Sequence, residues 1–373
     1  MKTIYLDHGA TTRPIRAALD AFGAAPWGNP SALHRSGRDA AAALQAARET
    51  IAACVGADPS EVYFTSGATE GAAWALRVLD FAGFPQNGTI CISAGEHHAV
   101  TEQVTRCKRV FLPLNSAGAI IPGDHMQRGS PLFVAAMLAN NETGVINKLP
   151  VLRRQLAKNN PVPLMYTDAT AAVGHIPVSF RKLGVEYMSF TAHKFGGLKG
   201  AGVLVIKSGA PGTPLIRGGG QEYGRRGGTE SVQLVCAMAA ALEWNCEHMK
   251  ENRKKVTALR DLAITEILNR IPGTLLNGSL TDRLPGNVNI SVDGVSGAAL
   301  VEALSQEGIY ISAGSACTSG DMKPSATLTA MGISPSRAFS SIRVTIDYEN
   351  TEGEIKSFVA ALEAAVKHFR ALE

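Results

Sequence analysis

Long apolar stretches are missing from this 373-residue chain; none exceeds nine residues, the length of the run from Pro131 to Ala139. A bilayer-spanning helix needs about 20, so a transmembrane segment is excluded. Asp7 and His8 interrupt the opening apolar residues before the core of an export signal could form, and a cytoplasmic location is expected. Basic blocks are also missing. The net charge of +4 is spread thinly, which leaves no footprint for nucleic acid or a membrane surface, although a small anionic ligand fits such a balance. The six cysteines, Cys54, Cys91, Cys107, Cys236, Cys246 and Cys317, never form a Cys-x-x-Cys pair. Neither a disulfide framework nor a resident metal site is expected. No low-complexity tract or fixed-period repeat occurs. The Gly-x-x-x-x-Gly-Lys-Ser/Thr pattern is absent, and Gly196-Gly197-Leu198-Lys199-Gly200 lacks its spacing, which disfavours nucleoside triphosphate chemistry.

What is present is a composition of 45% hydrophobic and 18% charged residues, that of a compact globule. From Ser60 onward, short β-rich runs alternate with longer Ala- and Leu-rich stretches at helical spacing. Strands are expected at Val62 to Thr65, Thr89 to Ser93, Leu132 to Leu138, Leu164 to Thr167, Tyr187 to Thr191 and Gly202 to Ile206. Helices are expected at Arg38 to Cys54, Thr69 to Phe81, Val100 to Cys107 and Leu149 to Lys158. The alternation predicts an α/β fold with a mostly parallel sheet covered on both faces, whose ligands sit at the carboxyl ends of the strands. A long helical region from about Glu230 to Arg270 follows. Beyond it, strands near Gly286 to Val292 and Ser341 to Ile346, with helices at Ser296 to Glu307 and Glu352 to Arg370, predict a smaller α+β domain beginning near residue 250.

Polar, Gly-rich clusters fall where the expected strands end: Thr65 to Glu70, Glu96-His97-His98, Asn140 to Gly144, Thr167 to Thr170, and Thr191 to Lys194. Any one of them is as well explained by the ordinary polarity of strand-to-helix loops. Backbone N–H groups at Ser66-Gly67-Ala68-Thr69 and the Thr69 hydroxyl are placed to hold a phosphate at a helix N-terminus. Asp168 and Lys194 lie 26 residues apart, each just past an apolar strand. A structural ion pair would explain them. Lysine, aspartate and a phosphate cradle are also the parts that hold pyridoxal phosphate, the lysine as Schiff base and the carboxylate keeping the pyridine nitrogen protonated. His97 could stack on such a ring or serve as a hydrogen-bonded structural histidine. Arg343 is a lone charge on an apolar strand that needs a partner if buried, and a substrate carboxylate would provide one. Cys317 sits among small polar residues, Ser312 to Gly320, whereas Cys54, Cys91 and Cys236 lie in apolar runs typical of inert core thiols. An accessible nucleophile and a small residue in a tight loop both fit Cys317.

With these residues in place, the chain resembles the cysteine desulfurases, fold-type I pyridoxal-phosphate enzymes of the class V aminotransferase group, and specifically the nitrogen-fixation and iron-sulfur-cluster subgroup. The matches run nearly end to end, from Tyr5-Leu6-Asp7-His8 and Gly28-Asn29-Pro30-Ser31 through Ser66-Gly67-Ala68-Thr69-Glu70, Asn140-Asn141-Glu142 and His193-Lys194 to Gly228-Thr229-Glu230, Gly314 to Ser319 and Ser340 to Arg343. The resemblance implies a large cofactor-binding domain over residues 15–250 and a small domain from residues 1–14 and 251–373. It implies Lys194 as the Schiff-base lysine, Asp168 as the pyridinium partner and His97 as the ring-stacking histidine. Ala68, Thr69, Thr191 and His193 match the phosphate-binding positions. Thr229 matches a threonine that reaches the neighbouring subunit's phosphate, which implies a homodimer. Asn141 and Arg343 match groups that hold the substrate carboxylate, and Cys317 the sulfur acceptor on a mobile loop.

The implied reaction removes sulfur from L-cysteine, giving L-alanine and a persulfide on Cys317, with Lys194, His97 and Cys317 as catalytic residues. A scaffold or other sulfur-acceptor protein would follow, and Cys317 would at most ligate an iron-sulfur cluster transiently. A selenocysteine lyase or related β-lyase, or a catalytically weak partner-binding protein on the same scaffold, are the alternatives. Three departures stand out: Ala171 where the family has a glutamine donating to the cofactor's phenolic oxygen, Gly71-Ala72-Ala73 where it tends to carry polar residues, and Tyr223 where it has an arginine.

Overall fold

The computed structural model describes residues 3–80, 88–104, 107–123, 132–159, 161–314, 317–318 and 321–372. Its strands are β1 (Ile4–Tyr5), β2 (Val62–Thr65), β3 (Thr89–Ser93), β4 (Lys108–Leu112), β5 (Phe133–Ala135), β6 (Leu164–Asp168), β7 (Tyr187–Thr191), β8 (Gly202–Ile206), β9 (Thr274–Leu276), β10 (Asn287–Val292), β11 (Ile309–Tyr310), β12 (Ser312–Ala313), β13 (Cys317–Thr318), β14 (Asp321–Met322) and β15 (Ser341–Thr345). Its helices are α1 (Arg16–Ala24), α2 (Arg35–Val55), α3 (Ala68–Leu76), α4 (His98–Thr101), α5 (Leu149–Leu156), α6 (Phe180–Leu183), the single turn α7 (Gln221–Gly224), α8 (Val232–Arg270), α9 (Gly297–Gln306), α10 (Ala326–Ala330), α11 (Pro335–Phe339) and α12 (Glu352–Arg370).

Seven strands form one sheet in the order β2-β8-β7-β6-β5-β3-β4. The pairs β7-β6, β6-β5, β5-β3 and β3-β4 are parallel, and β8 is antiparallel to both its neighbours. Strand β8 alone therefore runs against the rest, and the carboxyl ends of β2, β3, β4, β5, β6 and β7 share one edge. The inner strands are mostly apolar because both faces are covered. Side chains alternate between two cores: Phe64, Cys91, Val134, Met165 and Met188 join one with α2 and α8, while Tyr63, Ile90, Ile92, Tyr166 and Tyr187 join the other with α3. This is the mixed, mostly parallel, helix-flanked sheet of fold-type I.

A second sheet, β12-β15-β10-β9, is wholly antiparallel. It packs its own core against α9 and α12, with Ile342, Val344, Ile355, Phe358 and Leu362 fully buried. The 39-residue α8 joins the two regions, burying Val235, Met238 and Leu242 in the first and Leu259, Ile264 and Ile267 in the second. A complete capping box starts α12, with the Thr351 hydroxyl and Glu354 carboxylate each accepting the other residue's backbone N–H.

Two expectations need correction, and two elements were not foreseen. Helix α4 stops at Thr101 rather than running to Cys107; the segment is rich in Thr and Val, whose branched side chains disfavour helix. Strand β5 covers only Phe133–Ala135, because Met137 and Leu138 already turn into the loop after it. Strand β4 and helix α1 had no counterpart in the sequence reading. The edge strand β4 is masked by Lys108 and Arg109, which leave it half polar.

Candidate active site

The loops that leave this edge of the large sheet after β2, β3, β5, β6 and β7 all contribute to one cavity of about 580 Å³. After β2 come Ser66 to Glu70; after β3, His97; after β5, Met137, Ala139 and Asn141; on and after β6, Asp168, Thr170 and Ala171; on and after β7, Thr191, His193 and Lys194. Gly9 and Ala10 close it from the N-terminal segment, and Arg343 from β15. Of the residues singled out from sequence, Ala68, Thr69, His97, Asn141, Asp168, Thr191, His193, Lys194 and Arg343 all line this cavity. Thr229 does not, and is exposed. Ser315, Ala316, Ser319 and Gly320 lie outside the described residues, and so does the Cys317 side chain. The backbone of Cys317 pairs with Met322 in the β13-β14 ladder.

Helix α3 begins at Ala68 with Gly67 as N-cap, and no side chain caps its first turn. Its leading N–H groups and partial positive charge are therefore free for an anion. Gly67 sits against β8, where a side chain on Gly202 would meet Gly67 Cα at 2.6 Å. A Cβ on Gly71 would lie 2.8 Å from Ser189 Cβ, so the small face of α3 lets the helix lie close on β7. Glu70 accepts the Ser66 N–H at 2.8 Å and pairs with Arg226 at 2.8 Å, tying α3 to the glycine-rich segment before α8. That segment is anchored by Glu222, fully buried, which receives two bonds from Arg48 and the Phe64 N–H. The anchor is strong enough to hold Glu222 and Tyr223 at φ of +48° and +59°, a conformation costly for residues other than glycine.

Asp168 ends β6 and Lys194 follows the neighbouring β7, as their spacing predicted, yet no ion pair joins them among the described residues. The Lys194 ammonium donates instead to the backbone carbonyls of Gly9 and Ala10, at 2.6 and 2.8 Å. Burial pushes Lys194 from 10.5 down to about 8, helped by Arg343 and opposed by Asp168 and Asp7. His193 falls to about 4, through burial first and then the charges of Lys194 and Lys199. Burial likewise lowers His97, whose Nδ1 accepts the Ala99 N–H at 3.0 Å. Both imidazoles are thus neutral near pH 7. Behind them Glu96, its carboxylate buried, accepts the Met137 N–H and is raised well above the usual carboxylate range by burial and by Asp168.

Arg343 was expected to need a partner if buried, with a substrate carboxylate as one such partner, and the structure also supplies partners within the chain. Its Nη2 donates to Asp7 Oδ1 and Ser312 Oγ, both at 3.0 Å, and its Nη1 to the Asn141 carbonyl at 3.2 Å. Asp7 is 336 positions away, which no local pattern could reveal. The Nε is buried without a partner and remains as a donor for a ligand. Thr170 Oγ1, also lining the cavity, is buried and unpartnered as well. An uncapped helix start, a depressed lysine, a carboxylate and spare donors fit pyridoxal phosphate in kind. Sequence reasoning missed Asp7, Gly9, Ala10 and Lys199; the Asp7-His8 motif was the available signal for the first of these.

The class-V aminotransferase family matches residues 4–358 of this chain. A cysteine desulfurase IscS of Dictyoglomus turgidum is 36% identical over 381 residues, covering 100% of this chain and 96% of that protein. The chain belongs to the cysteine desulfurases. Another relative in that family, IscS of Methanosarcina thermophila, is 34% identical over 99% of this chain and 93% of its own length. Among solved structures, a NifS-like protein superposes with a TM-score of 0.91 at 32% identity, covering 98% of this chain and all of that one. A structure described as SspA in complex with cysteine gives a TM-score of 0.78 at 26% identity over 94% of this chain and all of its own. As a desulfurase-family fold, the molecule keeps its polar cavity where Lys194, Asp168 and Arg343 converge, while Ala171 offers no side-chain donor to it.

Proposed function

We propose that this protein is a pyridoxal-phosphate-dependent desulfurase that takes sulfur from L-cysteine and releases L-alanine. The observation that carries the reading is the convergence in one cavity of Lys194, its amine depressed to about 8, with Asp168, Arg343 and the uncapped start of α3. Ala68, Thr69, Thr191 and His193 would hold the phosphate, and Asp168 would face the ring nitrogen with His97 against the ring. The bound cofactor supplies an electron sink for charge developing at the substrate Cα.

The chain's own groups do the remaining work. Arg343, preset by Asp7 and Ser312, holds the substrate carboxylate with Asn141. A lysine whose amine gives up its proton near pH 8 rather than 10.5 takes the Cα proton and returns it. Neutral His97 relays a proton at the substrate thiol. Cys317 as thiolate attacks the substrate sulfur, and the C–S bond breaks to leave a persulfide on the enzyme. The reading extends to a homodimer in which Thr229, exposed in the single chain, reaches the neighbouring site. It extends also to a cytoplasmic setting and to a protein that accepts the sulfur for iron-sulfur assembly. Among the described residues no helix is long and apolar enough to cross a membrane.

The test is cysteine turnover with a reductant present, measuring alanine and sulfide together. Equal yields from the wild type and their loss in Cys317→Ser are expected. Sulfide released by Cys317→Ser at the wild-type rate would remove Cys317 from the mechanism.

A further inference from the structure

Two thiols away from the cofactor cavity meet one another. Cys54 lies in the last turn of α2 and Cys246 midway along α8, helices that pack together on one face of the large sheet. Both are free and half-buried, both line one cavity, and each thiol perturbs the other's ionisation more than any other group does. Its apolar context had placed Cys54 among inert core thiols; the partner, 192 positions further on, gives no local signal. Cys91, by contrast, is fully buried in the sheet. The neighbouring Cys54 thiol draws Cys246 below the ordinary thiol range against burial and against Glu243 and Glu247, while Cys54 itself is pushed up. Both line an open cavity of about 810 Å³ that also presents Lys250, Arg253 and Lys254, so a small polar oxidant has access and a thiolate has cations nearby.

We propose that Cys54 and Cys246 form a redox-active dithiol that hydrogen peroxide converts into a disulfide, stapling α2 to α8. The Cys246 thiolate attacks one peroxide oxygen; the O–O bond breaks, and hydroxide leaves with a proton as water, giving a sulfenic acid. Cys54 then attacks that sulfur, the S–O bond breaks, and a second water leaves. Two thiols are oxidised by two electrons and one peroxide is reduced to two waters. The staple lies close to the reaction centre. Asn245, the residue before Cys246, donates to the carbonyl of Phe195 at 2.8 Å, and Phe195 follows Lys194. Gly174, Met249 and Arg253 line both the dithiol cavity and the one beneath Lys194. Oxidation therefore fixes the stretch of α8 that supports the lysine.

The test uses the reduced, desalted holoenzyme treated with hydrogen peroxide, blocked with N-ethylmaleimide and digested without reductant. The expected product is one cross-linked species carrying Cys54 and Cys246, two mass units below the sum of its peptides and separated by dithiothreitol. Because the bond closes a long loop, the melting midpoint should rise by about 3–5 °C. Cys246→Ser should show neither change, with Cys54 recovered as its maleimide adduct. Recovery of both cysteines in separate alkylated or sulfinic peptides from the wild type would overturn the proposal. So would a cross-link that leaves the melting midpoint unmoved. Neither readout depends on cysteine turnover or on Cys317, so this proposal and the desulfurase reading fail separately.

Discussion

The two sheets reach the same cavity by different means. The large sheet offers almost nothing from within its inner strands, which are mostly apolar on both faces, and places its chemistry at their ends: an uncapped helix start after β2, Asp168 closing β6, Lys194 one turn past β7. The small antiparallel sheet contributes Arg343 from mid-strand, in register with Asn289 and Ser312 on either side. Its neighbours are polar and buried: the Asn287 and Asn289 amides both donate to the Glu142 carbonyl at 3.1 Å, and Asn277 donates to Asn289 and Ser291. Strand ends of a parallel sheet collect loops and helix dipoles for a cofactor. A strand interior fixes one rigid guanidinium for a substrate, at the expense of a polar network that must be fully satisfied.

Breaking the large-sheet side should cost most. Lys194→Ala should lower cysteine-dependent sulfide production by roughly 10²–10⁴-fold or more, since both proton transfer and cofactor attachment go with it; a loss below tenfold would assign the chemistry elsewhere. On the small-sheet side, Arg343→Gln should raise KM for cysteine about 10- to 100-fold with a smaller change in kcat, the scale of one charged hydrogen-bonded pair. Asp7→Asn should give a weaker shift of the same kind, because Asp7 positions Arg343 rather than touching substrate.

The depressed lysine sharpens the contrast through pH. The amine of Lys194 is expected to become free as pH rises through about 8 rather than 10.5, so uptake of pyridoxal phosphate by the apoprotein should climb over that lower window. Stability follows with a definite sign. Between about pH 8 and 10.5 the unfolded chain binds a proton that the folded chain has released, so this residue makes the apoprotein more stable as pH rises through that window. A denaturant midpoint series on Lys194→Met, which should lose that increment, checks it.

Smaller effects test the docking of the two sheets. Asn289→Ala removes one of two amides on the Glu142 carbonyl and should destabilise by about 1–3 kcal/mol in chemical denaturation. Thr351→Ala, which removes only the cap of α12, should cost about 1 kcal/mol and leave KM unchanged.

The sequence was most readable where the structure is most repetitive. Buried parallel strands announce themselves as short β-rich runs, and α12 is bounded at both ends by its cap and its charges, so these elements match closely. Most of the motif residues line one cavity because strand ends converge on one edge, a rule of the fold class that needs no contact information. What stayed hidden depends on tertiary distance. Asp7 finding Arg343, Glu222 anchoring on Arg48 and Cys54 meeting Cys246 are pairings across 336, 174 and 192 positions, with no local trace. The edge strand β4 failed for a different reason, its charged, exposed residues resembling a loop.

The account turns on Lys194 being the amine that carries the cofactor, and a second lysine, Lys199, lines the same cavity. Borohydride reduction of the holoenzyme followed by peptide mapping distinguishes them directly. A pyridoxyl group on Lys194 alone is the predicted result; one found on Lys199, or no modification at either, would contradict it.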